Sequence, residues 1–137
     1  MWDKMKIGMG YHYRARYELI LFFEKGKRKL NNLSIPDIIQ VPRIYRGYPT
    51  EKPVEVSEIL ISQSAESEAI VIDPFMGSGS TGIAAVKLDC HFMGNDIGSE
   101  ALEVTRERLL ELNVDLVSNL WPQQTSTSKT TQLDLSI

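Results

Sequence analysis

AIVIDPFMGSGSTG, residues Ala69 to Gly82 of a 137-residue chain, is the stretch that decides the fold. An apolar run, Ala69 to Ile72, ends in an acid, Asp73, and passes directly into a glycine-rich turn. A run of that length and composition is the kind buried in a parallel sheet. Gly77 and Gly79 admit φ values that other residues resist. Ser80 or Thr81 then caps a helix expected to run through Leu88. Strand, glycine turn and helix in that order imply an α/β fold built around a ligand site.

Gly77, Gly79 and Gly82 also satisfy the dinucleotide spacing G-x-G-x-x-G, and Asp96 ends the next candidate strand, His91 to Asp96. An NAD-dependent oxidoreductase fragment is therefore one reading. Asp73 argues against it. It stands at the strand tip, where a dinucleotide places its pyrophosphate and a helix start favours an anion. A carboxylate there repels phosphate. S-adenosylmethionine (AdoMet) carries an ammonium and a sulfonium but no phosphate, so charge complementarity favours it over NAD. Asp96 suits either ligand through hydrogen bonds from ribose hydroxyls, or it is simply a loop acid.

These residues resemble the β-class amino-DNA methyltransferases, which methylate N6 of adenine or N4 of cytosine. YPTEKPVEVSEILI (Tyr48 to Ile61) precedes the DPF-x-G-S-G-x-T turn, and FMGNDIGSEALEVTRERL (Phe92 to Leu109) follows it, in the family's order. WDKMKIGMGYHYRARYELILFFEKGK is similar to the family's segment before its target-recognition region, so the resemblance runs from about Trp2 to Leu112. Three ordered segments are far more specific than one glycine pattern. The resemblance implies a Rossmann-like AdoMet-dependent methyltransferase fold and AdoMet as cofactor. It assigns Thr50, Lys52 and Pro53 to an element closing over the methionine end, and Asp73, Phe75, Gly77, Ser78, Gly79 and Thr81 to the main cofactor turn. Asp96 would hold the ribose. Site-specific methylation of double-stranded DNA, as in restriction-modification systems, is the implied activity.

One departure bears on that activity. The family's catalytic tetrapeptide, an Asp, Asn or Ser followed by Pro-Pro and an aromatic, is absent, and no two prolines are adjacent in the chain. That loop accepts hydrogen bonds from the target amine and stacks on a base flipped out of the duplex. In this class it lies N-terminal to the cofactor turn. The chain is thus expected to be a C-terminal part of an incomplete fold, lacking the central catalytic strands and exposing an apolar edge at Ala69 to Asp73. No catalytic residue is assigned. The missing loop would come from an N-terminal methyltransferase half in a split enzyme, or the chain is a noncatalytic AdoMet- or DNA-binding remnant; a homo-oligomer is a further possibility.

Charge is unevenly spread. Residues 1 to 52 hold 11 of the 15 Lys and Arg against 5 acids, a net +6, and all five tyrosines; the remainder holds 4 basic residues and 13 acids, a net −9. Cations neutralise phosphates while aromatic faces stack on bases. Tyr11, His12, Tyr13, Arg14, Arg16, Lys25, Lys27, Arg28 and Lys29 are therefore the candidate DNA contacts. The competing reading is a strand pair near Tyr17 to Glu24, with Tyr17, Leu19, Leu21 and Phe23 alternating toward a core and KGKRK forming a solvated turn.

The organisation expected is a basic, tyrosine-rich segment (1–52), an AdoMet-binding α/β core (53–120) and a disordered polar tail (121–137). One helix starts at Pro53, with Val56, Ile59 and Leu60 on a shared face. Another runs from Ser99 to Leu112, with Leu102, Leu109 and Leu112 inward and Glu103, Glu107 and Glu111 solvated. The tail QQTSTSKTTQ cannot order itself by apolar burial. It ends in QLDLSI, where Gln132, Leu133, Leu135 and Ile137 resemble peptides that dock on the bacterial sliding clamp. Cys90, the lone cysteine, excludes an internal disulfide and reads as a small buried apolar residue, and no metal-ligand spacing is present. With no apolar run long enough for a membrane span, a soluble cytoplasmic protein is expected.

Overall fold

The computed structural model describes residues 1–45 and 47–114. The expected tail and its clamp-like peptide lie outside the described residues. The chain begins in a small three-stranded sheet, β1 (Trp2–Asp3), β2 (Tyr17–Glu18) and β3 (Ile39–Gln40), ordered β2-β1-β3 with β1 antiparallel to β2 and parallel to β3. Each strand has only two residues, so side chains and not ladder length hold it. Trp2 is buried at 3% exposure and donates Nε1–H to the Val41 carbonyl at 2.8 Å. Arg16 grips Asp3 with two parallel bonds, 2.6 and 2.7 Å, the planar fork that suits a carboxylate. Those bonds, with a further one from the Met5 amide, hold the Asp3 carboxyl well below the usual carboxylate range.

The longer strand expected at Tyr17 to Glu24 ends at Glu18. Tyr17, Leu19, Leu21 and Phe23 do not turn toward a core; they are 51%, 73%, 75% and 84% exposed. β1 supplies only two partner positions, so beyond Glu18 the backbone has no ladder to join. The KGKRK run is a fully exposed bend with Gly26 at φ +87°. Asn31 then stitches this segment to the core. Its side-chain amide donates to the carbonyls of Ser62 and Ala65, and its backbone N–H to that of Gln63, satisfying groups that a helix end leaves open.

The core follows as α1 (Val54–Ser64), β4 (Ile70–Asp73), α2 (Ser80–Lys87), β5 (His91–Gly94) and α3 (Ser99–Leu110). α1 starts one residue after Pro53, which stands at its N-cap; Val56 and Ile61 are its buried apolar residues, whereas Ile59 is half-buried and Leu60 exposed. β4 and β5 pair in parallel, Ile70 opposite His91 through Asp73 opposite Gly94. β5 stops two residues short of Asp96. α2 fits the expected span, but its cap is Gly79 in the left-handed region (φ +75°), with no side-chain cap from Ser80 or Thr81. α3 buries Ala101, Leu102, Thr105 and Leu109 and leaves Glu103 and Glu107 in solvent; Leu112 falls beyond its end and is exposed.

The packed interior lies on one face of the β4–β5 pair, where Phe92 (0% exposed), Ile83, Ala84, Ala85, Leu102 and Leu109 cluster with half-buried Val71. On the other face Ile70 and Ile72 are 62% and 67% exposed. A strand buried on both faces is thus not what forms here: β5 is the only strand paired with β4 among the described residues, in keeping with the exposed apolar edge expected of an incomplete sheet. Cys90 is buried, and that burial raises its thiol pKa. Gly82 sits under the Phe92 ring so closely that a Cβ would come within 2.5 Å of it. Gly82→Ala is expected to destabilise the chain by about 1–3 kcal/mol through overpacking, read as a lower midpoint in urea unfolding.

Candidate functional site

The turn after β4 is held from three sides. Asp73 begins it, its Oδ1 accepting the Phe75 N–H at 3.1 Å while its backbone carbonyl accepts the Asn95 N–H at 3.0 Å. Asp96 holds the middle. Its Oδ2 accepts the Gly77 N–H at 2.9 Å and its Oδ1 the Gly98 N–H at 2.9 Å, so one carboxylate ties the glycine turn to the start of α3. α3 closes the far side, with Thr105 Oγ1 donating to the Gly77 carbonyl at 2.9 Å and Arg108 Nη1 to that of Ser78 at 2.6 Å. Gly79 lies against Thr105, where a Cβ would come within 2.5 Å of the threonine methyl. Only glycine meets both that contact and the positive φ.

These elements bound a cavity of about 230 Å³ whose lining includes Thr50, Lys52, Asp73, Phe75, Gly77, Ser78 and Thr81. These positions, named from sequence as one cofactor site, are thus brought together across more than twenty residues of chain. Pro53, Gly79 and Asp96 adjoin the lining without forming part of it: Pro53 stands at the N-cap of α1, Gly79 packs on Thr105, and Asp96 bonds the Gly77 and Gly98 N–H groups. Phe75 is 86% exposed, its ring projecting from the turn. Thr50 has φ +63°, a strained conformation for a β-branched residue of the kind that concentrates at ligand sites. Among the described residues no cation pairs with Asp73.

Sequence reasoning missed Tyr48, Ser57, Met76 and Ser80 in the lining, and Glu51, Thr105 and Arg108 in its support. Met76 and Ser80 directly neighbour named positions, and Tyr48 lies two residues before one. The α3 residues reach the turn from 28 and 30 positions away, so no local pattern marks them. A second cavity of about 490 Å³ adjoins the first, sharing Tyr48, Thr50 and Lys52 and reaching Trp2, Lys4 and Arg43.

The candidate DNA contacts do not form one cluster. Tyr11, His12 and Tyr13 are exposed, with the first two rings edge to face at 4.9 Å, and Arg14 donates to the Gly8 carbonyl. Arg16 is occupied by Asp3, and Arg28 pairs with Glu66 at 3.0 Å. Lys25, Lys27 and Lys29 are exposed. A compact cationic group lies elsewhere: Arg43 and Lys6 flank the Tyr45 ring at 4.9 and 5.5 Å, beside the larger cavity.

Residues 33–107 match the model of the N6/N4-type DNA methylase family. The chain belongs to that family. It is 31% identical over 110 residues to the Type II methyltransferase M2.LlaDCHI of Lactococcus lactis subsp. cremoris, covering 80% of this chain and 40% of that protein. Against M2.MboI of Moraxella bovis it is 31% identical over 101 residues, covering 74% and 37%. The crystal structure of the M1.HpyAVI–SAM complex superposes with a TM-score of 0.51 at 30% identity, covering 60% of this chain and 43% of that one. PvuII DNA methyltransferase (cytosine-N4-specific) matches in fold, with a TM-score of 0.52 at 20% identity over 61% and 35% of the two chains. The methylase chain therefore carries part of the α/β fold of AdoMet-dependent DNA methyltransferases and spans about two fifths of its relatives' length.

The two acids of the site have different surroundings and separate on substitution. Asp96→Ala leaves two backbone N–H groups without their acceptor and is expected to cost about 1–3 kcal/mol of stability. Asp73→Ala, which loses one local turn bond, should leave the unfolding midpoint close to that of the unaltered chain. Paired denaturation curves check both.

Proposed function

We propose that this chain is the AdoMet-binding part of a site-specific DNA methyltransferase acting on an exocyclic amine, N6 of adenine or N4 of cytosine, and that it contacts double-stranded DNA. The observation that carries the reading is the cavity around the glycine turn, with Asp73 in its wall and, among the described residues, no cation paired to that carboxylate. Such a wall suits a cationic ligand without phosphate and opposes a dinucleotide. Asp73 and the turn would take the aminoacid and sulfonium side of AdoMet, Thr50 and Lys52 would close over its methionine end, and Asp96 would orient the ribose while holding the turn. Bound AdoMet supplies an activated methyl group. The residues described here bind and orient it.

Transfer also needs groups that hold the acceptor amine, and no Pro-Pro-aromatic tetrapeptide occurs in these 137 residues. We place that loop on a methyltransferase segment not included in them. The names of the relatives, Type II methyltransferases, support a restriction-modification setting and with it a cytoplasmic location. No helix among the described residues is long and apolar enough to cross a membrane. For the DNA-facing surface, we add the Arg43, Lys6 and Tyr45 group as candidate contacts beside those of the exposed Tyr11 to Arg14 stretch.

Calorimetric titration of the full chain with AdoMet and with NAD tests the cofactor assignment. Saturable AdoMet binding that falls at least about tenfold in Asp73→Ala, with no NAD binding, is expected. NAD binding, or an Asp73→Ala chain that binds AdoMet as well as the unaltered one, would sink it. For DNA, Lys6→Ala and Arg43→Ala are each expected to weaken duplex binding and to lower the salt dependence of log K by about one unit if each cation neutralises one phosphate. An unchanged slope would remove both from the interface.

A further inference from the structure

We propose that Arg108 is a positioning residue for the cofactor cavity, one that sets the cavity's shape by locking the Tyr48-to-Lys52 loop onto the glycine turn. The inference rests on the AdoMet reading above and adds a residue that neither the glycine pattern nor the cavity wall contains. Thr105 and Arg108 are three residues apart on α3 and so project from the same side of the helix. Thr105 Oγ1 holds the Gly77 carbonyl, and Arg108 Nη1 holds that of Ser78 at 2.6 Å. The second arm of the guanidinium points elsewhere: Nη2 lies 3.1 Å from Glu51 Oε1.

Glu51 carries the connection into the loop. Its Oε2 accepts the Tyr48 N–H at 3.3 Å, and its own N–H donates to the Tyr48 carbonyl at 3.0 Å, so the carboxylate and backbone close the turn on both sides. One residue on, the Lys52 carbonyl accepts the Ser80 hydroxyl at 2.7 Å. Loop and glycine turn are therefore joined at two points, and both contribute walls to the same cavity. Neither Glu51 nor Arg108 lines that cavity, so any influence on a ligand passes through what they hold.

Among the described residues, the Arg108–Glu51 pair is the least exposed of the arginine pairs. Its side chains are 23% and 13% exposed, against 50% and 13% for Arg16–Asp3 and 55% and 81% for Arg28–Glu66. A partly desolvated, hydrogen-bonded pair is screened less than an exposed one. The geometry suits a planar fork, whose two amino groups serve the Ser78 carbonyl and Glu51 separately, a reach that the single ammonium of a lysine does not reproduce. The loop needs such a hold because Thr50 sits in the left-handed region, a strain that persists only where surrounding contacts impose it.

The test uses the full chain with Arg108→Ala, Arg108→Lys and Glu51→Ala, measuring affinity for AdoMet and, by competition, for adenosine, alongside thermal unfolding without ligand. Each substitution is expected to weaken AdoMet by about tenfold, the worth of one charge-assisted hydrogen bond. Adenosine, which lacks the methionine end beneath the loop, should change less than about twofold, and Arg108→Ala with Glu51→Ala combined should be no weaker than either alone. AdoMet affinity unchanged in folded Arg108→Ala or Glu51→Ala would overturn the proposal, as would equal losses for AdoMet and adenosine, the mark of a merely structural role. If Arg108→Ala does not fold, Glu51→Ala, which leaves the Ser78 bond intact, decides. An unaltered chain that binds no AdoMet would instead overturn the cofactor reading itself, and this inference with it.

Discussion

The two hydrogen bonds accepted by Asp96 are the constraint on which the rest of the site depends. One oxygen fixes the Gly77 N–H in the middle of the glycine turn, and the other fixes the Gly98 N–H at the N-cap of α3, which has no side-chain cap of its own. Where α3 begins is thus tied to where the turn runs. α3 then returns to the same turn about two to three helical turns later, through Thr105 and Arg108. The loop is closed on itself: the carboxylate sets the helix, and the helix sets the two carbonyls next to the amide that the carboxylate holds. Backbone groups in a glycine-rich turn have no ladder to satisfy them, and each one bonded here removes a desolvation cost of about 1–3 kcal/mol.

Close packing lets this polar frame stand on a small core. Gly79 admits Thr105 and Gly82 admits the Phe92 ring at distances no other residue allows. The glycines of the sequence pattern thus serve two purposes, a turn that needs positive φ and a helix start that must lie flat on β5. Phe92 and Leu109, both fully buried, contribute roughly 1.5–3 kcal/mol each by area. That burial lies on one face of the β4–β5 pair only. Stability therefore resides in the helices and the turn they enclose, while Ile70 and Ile72 face outward as an apolar strip next to the site.

Much of this was legible because the relevant signals are local. The apolar run, the acid, the glycines and the start of the following helix lie within fourteen residues, and the start of α1 and the spans of α2, β5 and α3 fall within two positions of those expected. What local pattern could not carry is partnership. Leu19, Leu21 and Phe23 alternate like a strand, yet no strand reaches them, so they stay exposed. Leu60 shares a helical face with Val56 by spacing, but what packs on α1 covers Ile61 instead. Arg16 counts as a free cation in the sequence and is bound to Asp3 in the fold. Arg108 is the converse case: no local pattern marks it, and it bridges two segments that bound the cavity. Each error arises where a contact across many residues outweighs spacing along the chain.

The loop from Tyr48 to Lys52 also explains how two cavities of different character can share a wall. Its neighbouring residues are drawn in opposite directions, Glu51 toward Arg108 on α3 and Lys52 toward Glu18 on β2. The two attachments are unequal. Lys52 and Glu18 are 55% and 43% exposed at 3.5 Å, a pair worth about 0–1 kcal/mol, and Glu18 is shared with Lys4. Glu51 and Arg108 are far less exposed, and their hold is reinforced by the Ser80 bond to the Lys52 carbonyl. By these magnitudes the Lys52–Glu18 contact is the weaker of the two attachments, and the loop is held chiefly by its bonds to the glycine turn and α3. The wall of the smaller cavity is therefore anchored more firmly at this loop than the wall of the larger one, which runs on to Trp2 and Lys4.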